Sequence, residues 1–253
     1  ESSEGLSIRR EYHIASTGSE DEPYTIEHST VFKNKSTSSM ALASIYFNLG
    51  TARPITEEMI GVNFLNVGYF DGEDAEFIPI KKLTGGKGFL GIGASDPKDV
   101  IAEAARIEWS SVKNQFFASV LSSNTIARDL FVYPVDAPSD VYNQPGRLGI
   151  SGSVGYEIGT LAAGESESLD FQYFVGPKEF KRLQAIGNEQ DLVMQFGFLG
   201  FFSKLLVLPL STSHMGMANG HAPGVSQDTQ PTAQATLSPM IAFIFSCYQV
   251  FVR

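Results

Sequence analysis

The stretch from Tyr24 to Phe32, YTIEHSTVF, indicates the fold more clearly than any other part of the chain. Two sets of side chains alternate along it: Tyr24, Ile26, His28, Thr30 and Phe32 in one, and Thr25, Glu27, Ser29 and Val31 in the other. Asn34 and Lys35 then supply a turn. Because successive side chains of a strand point to opposite faces of a sheet, this alternation predicts a β-strand.

Similar segments recur through the first 176 residues. Asp71-Gly72 separates two of them and is a strong signal for a hairpin turn. Further strands are predicted at Ala41 to Leu49, Val62 to Phe70, Ala75 to Ile80, Ala105 to Val112, Gln115 to Leu121, Arg128 to Val135, Leu148 to Ile158 and Ser168 to Val175. Many short strands punctuated by Gly, Asn, Asp and Pro predict an all-β domain, a sandwich of antiparallel sheets, over residues 1–176.

Helix signals are few before residue 177. Thr56 to Ile60 could form one turn. Pro97 to Ala105 is predicted to form a short helix, with Asp96 as its N-cap and proline at the first helical position. After Gly176-Pro177 the pattern changes, and a helix is predicted from Lys178 to Ile186 with Gly187 just after its end.

A strongly apolar segment follows, from Phe198 to Leu208. If it is helical, its small and polar residues form one narrow strip around Lys204, which suits a helix lying in a membrane interface. A core helix docked on a sheet is the alternative. The side chains predicted to contact the membrane are Phe198, Leu199, Phe201, Phe202, Leu205 and Leu206.

The sequence therefore divides into three predicted parts. Residues 1–176 form the sandwich, and residues 177–210 form a helical linker and the membrane-surface helix. Residues 211–253 are a polar linker followed by a short apolar end, to which no structure is assigned. No signal peptide is visible, and no apolar run is long enough for a complete transmembrane helix, so we expect a soluble chain or a piece of a longer one.

Composition excludes several classes of function. Hydrophobic residues make up 43% of the chain and charged residues 18%, as in globular proteins. The net charge of -10 argues against a nucleic-acid partner, because phosphate binding needs a surplus of Lys and Arg. A single cysteine, Cys247, cannot form an internal disulfide.

The sequence predicts no catalytic, cofactor-binding or metal-binding residue. The four histidines are His13 and His28, in predicted strands, and His214 and His221, in the polar linker, with no metal-ligand spacing. Gly86 to Gly91 matches GxGxxG by letter, but a dinucleotide site needs a parallel βαβ unit. The acidic cluster at 71–76 is predicted to be a solvated hairpin turn rather than a glycosidase pair.

The segment from Ile107 to Phe117, IEWSSVKNQFF, contains the one tryptophan, Trp109. Core packing by Ile107, Trp109, Val112 and the two phenylalanines, Phe116 and Phe117, is the simplest interpretation, because aromatic side chains dominate buried area.

This segment also resembles the W-x-x-x-K-x-x-Y/F-F segment in the periplasmic domain of YidC-type bacterial membrane protein insertases. Tyr173 to Phe180, YFVGPKEF, followed by Leu183, resembles that family's Y-x-G-P-K-x-Y/F-x-x-L junction. Asp191 to Leu206 is similar to the segment leading into its membrane-surface helix. The three segments together, in this order and spacing, are a more specific match than any one of them. The resemblance covers roughly residues 8–208 and is diffuse before residue 105.

The resemblance implies a β-supersandwich similar to mutarotase-like domains, followed by short helices. It implies a non-enzymatic part of an insertase on the periplasmic side of the bacterial inner membrane. There it would aid the insertion and folding of inner-membrane proteins, alone or with the Sec translocon. Implied partners are the bilayer surface, nascent membrane proteins and Sec subunits. The family's groove helix and its arginine have no match after Leu208, so no groove residue is carried over.

Two other functions remain open from the residues. One is a mutarotase-like enzyme, which would need a His/Glu pair on a concave face, where only His13 and His28 are available. The other is a carbohydrate- or peptide-binding module without chemistry, which a groove lined by exposed aromatic side chains would favour.

Overall fold

Antiparallel strands make up most of the chain that the structure describes. The structure is a computed structural model, and it describes residues 5–14, 24–55, 62–86, 95–136, 149–195 and 251–252. The strands are β1 (Leu6–Ile14), β2 (Thr25–Asn34), β3 (Met40–Ala52), β4 (Asn66–Phe70), β5 (Ala75–Pro79), β6 (Ile101–Lys113), β7 (Phe117–Val135), β8 (Gly149–Leu161), β9 (Ser166–Pro177) and β10 (Phe251–Val252). Two short helices, α1 (Lys81–Thr84) and α2 (Phe180–Ile186), and a 3₁₀ helix, Gln190–Met194, complete the described elements.

Strand β7 connects two layers of sheet. Its first half pairs with β9, from Phe117 to Ser123, and its second half pairs with β8, from Asp129 to Val135. One layer has the order β1-β2-β9-β7-β6-β4-β5. The other layer contains β3 and β8, and the pairing of β8 with β7 joins it to the first. The register of β6 against β7 shifts around Ile107, and such bulges bend strands. The bends let both strands pass from one layer into the other.

Aromatic side chains fill the space between the layers. Phe171 of β9 lies 4.5 Å from Phe47 of β3 and 5.3 Å from Tyr156 of β8, measured between ring centres. His28 of β2 joins this cluster, 6.2 Å from Phe47. The predicted all-β fold of antiparallel sheets is therefore confirmed, with its core between the layers.

Several predicted elements agree with the structure. The segment around YTIEHSTVF is β2, and the hairpin at Asp71-Gly72 joins β4 to β5. The helix predicted from Lys178 to Ile186 is observed as α2, and Gly187 follows it with a φ of 86°. The described residues contain no helix with the length and apolar character that a bilayer crossing requires.

Three predictions of local structure were wrong. The strands predicted at 115–121 and 128–135 are one strand, β7. The helix predicted from Pro97 to Ala105 is not formed; β6 starts at Ile101, and its pairing with β7 outweighs the local helix signal. The strand predicted from Val62 begins only at Asn66. The turn predicted at Thr56 to Ile60 lies outside the described residues.

Candidate functional site

The six residues predicted to contact a membrane lie outside the described residues, which stop at Gln195 before the apolar segment. The structure does show how the chain is held up to that point. Residues 178–195, here called the helical segment, comprise α2 and the 3₁₀ helix. They lie against the layer that contains β4, β6, β7 and β9, on the face that points away from β3 and β8.

A second hydrophobic cluster attaches the helical segment to the sheet. Leu183 of α2 and Val193 of the 3₁₀ helix are fully buried in it. On the sheet side the cluster is formed by Phe70, Trp109, Ala118, Val120 and Phe174. The helical segment is therefore a packed part of the domain, and the burial of these apolar groups holds it in place.

Trp109 is at the centre of this contact. It is 1% exposed and stacks on Phe70, with 5.6 Å between ring centres. Its indole N–H donates a 2.9 Å hydrogen bond to the carbonyl of Asn188, in the turn between the two helices. The tryptophan is core, as predicted, and it also fixes the path of the chain after α2.

A buried lysine makes the next contact. The Nζ of Lys113 donates a hydrogen bond to the carbonyl of Val193 and lies 4.3 Å from the centre of the Phe77 ring. Burial, and then the charge of Lys178, lower the pKa of Lys113 to about 6. An amine of that pKa is mostly neutral at pH 7 and still donates to the carbonyl.

Asn66 holds the last described residue before the apolar segment. Its side-chain amide donates a 3.1 Å hydrogen bond to Oε1 of Gln195. Asn66 pairs with Lys113 across β4 and β6, so both contacts come from one row of the sheet. Sequence reasoning missed Asn66 and Gln195, because neither belongs to a recognisable spacing of residues.

The segment from Tyr173 to Lys178 is bound from both sides. The Tyr173 hydroxyl donates a 2.8 Å hydrogen bond to the Leu49 carbonyl and accepts one of 2.6 Å from Ser119. Because Leu49 belongs to β3, this contact joins the two layers. At the other end, the backbone N–H of Lys178 donates to the Phe116 carbonyl at 2.8 Å.

Gly176 is needed for close packing. A Cβ placed there would lie 2.7 Å from Cγ of Tyr24 and 3.0 Å from Cζ of Phe174. Gly176→Val is therefore expected to lower the free energy of unfolding by about 1–3 kcal/mol through overpacking. Chemical denaturation would measure the loss. Gly159 is unsuitable as a control, since its φ of 84° would add backbone strain. The control is Ala162→Val, because Ala162 is exposed and the free energy of unfolding should change little there. Equal effects at both positions would contradict the interpretation.

The turn between β6 and β7 is built around Asn114. Its side-chain carbonyl accepts hydrogen bonds from the backbone N–H groups of Phe116 and Phe117, at 2.9 and 2.8 Å. Its amide donates to the Arg53 carbonyl at 3.0 Å. Phe116 and Phe117 are 51% and 50% exposed, so the prediction that they pack in the core was wrong.

An open groove of about 760 Å³ is the second candidate site. It lies along β1, β2, β9 and the middle of β7, with Asn188 of the helical segment at one end. Polar side chains line most of it, and its acidic members are Glu11, Glu27 and Asp170. Polar groups of this kind can bind hydroxyl-rich or amide-rich ligands through hydrogen bonds.

Both predicted strand histidines line the groove, but their surroundings differ. His13 is exposed and faces Glu27 across β1 and β2. His28 is buried between Tyr12, at 4.5 Å between ring centres, and Phe171, at 5.5 Å. The ring of His28 also shares a 2.9 Å hydrogen bond with Thr30. Burial, and then the charge of Arg10, lower the pKa of His28 to about 4, so the ring is neutral at pH 7.

The acidic residues at 71–76 form a hairpin turn, as predicted. One carboxylate oxygen of Asp71 accepts hydrogen bonds from the backbone N–H groups of Glu73 and Asp74, both at 2.8 Å. These bonds lower the pKa of Asp71. Among the described residues, no group of three or more His, Cys, Asp or Glu side chains could hold a metal ion.

Two solved structures share a distant resemblance with the chain. A protein of Escherichia coli K12 described as an aldose 1-epimerase has 11% sequence identity and a TM-score of 0.38, covering 68% of this chain and 60% of its own. A TPR-domain-containing protein from Parabacteroides distasonis has 14% identity and a TM-score of 0.36, covering 70% of this chain and 31% of its own.

Sequence comparison is more informative. The membrane protein insertase YidC of Polynucleobacter asymbioticus is 27% identical over 112 residues, which are 44% of this chain and 18% of that protein. This chain thus aligns with only a small part of the relative's length. The family model described as the YidC periplasmic domain matches residues 1–209. The chain, through most of its length, therefore belongs to the YidC periplasmic domain family.

Proposed function

We propose that this chain is the extracytoplasmic part of a membrane protein insertase, on the periplasmic side of the bacterial inner membrane. Residues 1–176 form the sandwich, and residues 177–210 form the linker and a helix on the membrane surface. It aids the insertion and folding of inner-membrane proteins, alone or with the Sec translocon. Its partners are the bilayer surface, nascent membrane proteins and translocon subunits, and it needs no cofactor or catalytic step.

One observation carries the proposal beyond family membership. The helical segment is attached to the sheet by Trp109, Lys113 and Asn66, up to Gln195. The sequence that follows immediately, FGFLGFFSKLLVL from Phe196, is apolar enough to require a nonpolar partner. A rigid attachment just before such a segment would set the height and orientation of the sandwich above a bilayer.

Charged substitutions in the apolar segment test the membrane contact. Phe201→Glu with Phe202→Glu in the 253-residue chain is expected to weaken binding to phosphatidylethanolamine–phosphatidylglycerol vesicles about tenfold or more, because carboxylates resist transfer into the interface. Vesicle co-sedimentation gives the measurement.

The matched control is Ser226→Glu with Thr229→Glu, which adds the same charge to the polar linker. It should reduce binding much less. Equal vesicle binding by the unsubstituted chain and the Phe201/Phe202 variant would contradict the membrane contact.

A carbohydrate-binding module in the groove is the second candidate function, with Tyr12 as the exposed aromatic side chain of its lining. Its acidic and amide side chains suit sugar hydroxyls. Mutarotase chemistry fits less well, because His28 is buried in the aromatic core and bonded to Thr30. Isothermal titration with monosaccharides tests the module: tight binding that Glu27→Gln removes would support it, and absence of heat would reject it.

A further inference from the structure

The end of the sandwich from which the chain continues past Gln195 carries several exposed apolar side chains. Phe116 and Phe117 project from the β6–β7 turn, and each is about half exposed. Phe64 is 42% exposed and precedes Asn66, the partner of Lys113 at the end of β6. Ile55, 52% exposed, follows Arg53, whose carbonyl binds Asn114. We call these four residues the apolar tip.

The turn at the tip is held in place by hydrogen bonds. Asn114 accepts from both backbone N–H groups of Phe116 and Phe117, and its own N–H donates to the Phe117 carbonyl at 3.0 Å. The Phe116 carbonyl also accepts from Lys178. The two adjacent aromatic rings are therefore held in contact with solvent by a constrained turn. A flexible turn would allow them to fold back onto the sheet.

The direction of the chain indicates what covers the tip. Gln195 binds Asn66, at the same end of the sheet, and the apolar segment, Phe198 to Leu208, begins three residues after Gln195. A helix that begins at this end and lies in a membrane interface would bring the tip to the lipid headgroups. Apolar side chains that insert there are transferred out of water, which is favourable, and the fixed turn already holds them in position.

We propose that the apolar tip inserts into the bilayer interface as a second membrane contact, with Phe116 and Phe117 as the inserted side chains. The proposal rests on the proposed function, since it takes the same membrane as partner. It adds a contact made by the folded sandwich itself, which would fix the tilt of the domain and not only its distance from the membrane.

The test separates this contact from that of the apolar segment. In a Cys247→Ser background, an environment-sensitive NBD probe is attached to cysteine introduced by Phe117→Cys or by Val100→Cys. Val100 is 50% exposed and precedes β6, whereas the tip follows its far end, so it is a matched control. With phosphatidylethanolamine–phosphatidylglycerol vesicles, we expect a blue shift and a several-fold intensity gain at position 117 and little change at 100.

Substitution gives an independent measurement. Phe116→Ser with Phe117→Ser should weaken vesicle co-sedimentation about three- to tenfold, consistent with loss of two partly buried aromatic contacts, while Val100→Ser changes it little. Thermal unfolding checks that the variants fold. A probe at 117 that stays in water on bound vesicles would overturn the tip contact alone. Failure of the unsubstituted chain to bind vesicles would overturn the tip contact and the proposed membrane placement together.

A second copy of the chain is the competing occupant. Analytical ultracentrifugation without lipid should show a monomer for the unsubstituted chain. A dimer that the double serine variant converts to monomer would assign the tip to self-association and overturn the proposal.

Discussion

Replacing Trp109 by alanine is expected to lower the free energy of unfolding by about 3–5 kcal/mol, the usual range for removing a buried tryptophan. The loss combines apolar contacts with Phe70, Leu183 and Val193 and the hydrogen bond to Asn188. Because these contacts attach residues 178–195, hydrogen exchange in that segment should accelerate more than in β2 or β9. Urea unfolding and amide exchange would measure the two effects.

Trp109→Phe is the matched control. It keeps a six-membered aromatic ring but loses the pyrrole part of the indole together with its N–H, so the expected cost, about 1–2 kcal/mol, is smaller than that of alanine. If the alanine and phenylalanine variants were equally stable, the contact would depend on the hydrogen bond rather than on packing. If exchange accelerated uniformly across the domain, the helical segment would not be attached chiefly through Trp109.

Acidification is expected to destabilise the domain through His28. The folded-state pKa is about 4 and the ordinary value is 6.5, so the unfolded chain takes up a proton at a higher pH than the folded one. The contribution of neutral His28 to the free energy of unfolding is fully present above pH 6.5. It declines as the pH falls and is lost below about pH 4. The total loss is about 3 kcal/mol. Urea unfolding at a series of pH values would measure it.

Two histidine variants isolate this effect. His28→Phe removes the titrating group, so its stability should change less between pH 6.5 and pH 4 than that of the unsubstituted chain. It should start lower at pH 7, because buried Thr30 loses its bond to the ring. His13→Phe alters an exposed histidine and should leave the slope unchanged. A slope that His28→Phe does not reduce would place the acid sensitivity elsewhere.

Periodic patterns predicted most of the fold. Alternation located β2 and β3, and the Asp71-Gly72 turn located the β4–β5 hairpin, because side-chain direction and turn chemistry are local properties. Gly176-Pro177 and Gly187 bracketed the helix in the same way. Trp109 was correctly placed in the core, because its area makes exposure costly.

The remaining errors depended on tertiary contacts. Nothing local indicates that 117–135 is one strand, because its unity comes from pairing with β9 at one end and β8 at the other. The exposure of Phe116 and Phe117 follows from the turn that Asn114 holds, whereas composition favoured burial. The predicted membrane-contacting residues, Phe198 to Leu206, remain a prediction.

The attachment of residues 178–195 also has a mechanical consequence. A tension transmitted along the chain through Gln195 would first act on the contacts to Asn66, Lys113 and Trp109, which can open one after another. Only then would it reach β9, which lies between β2 and β7 and would have to slide against both at once. The helical segment would thus detach from the sheet at a lower force than the one that unfolds the sandwich.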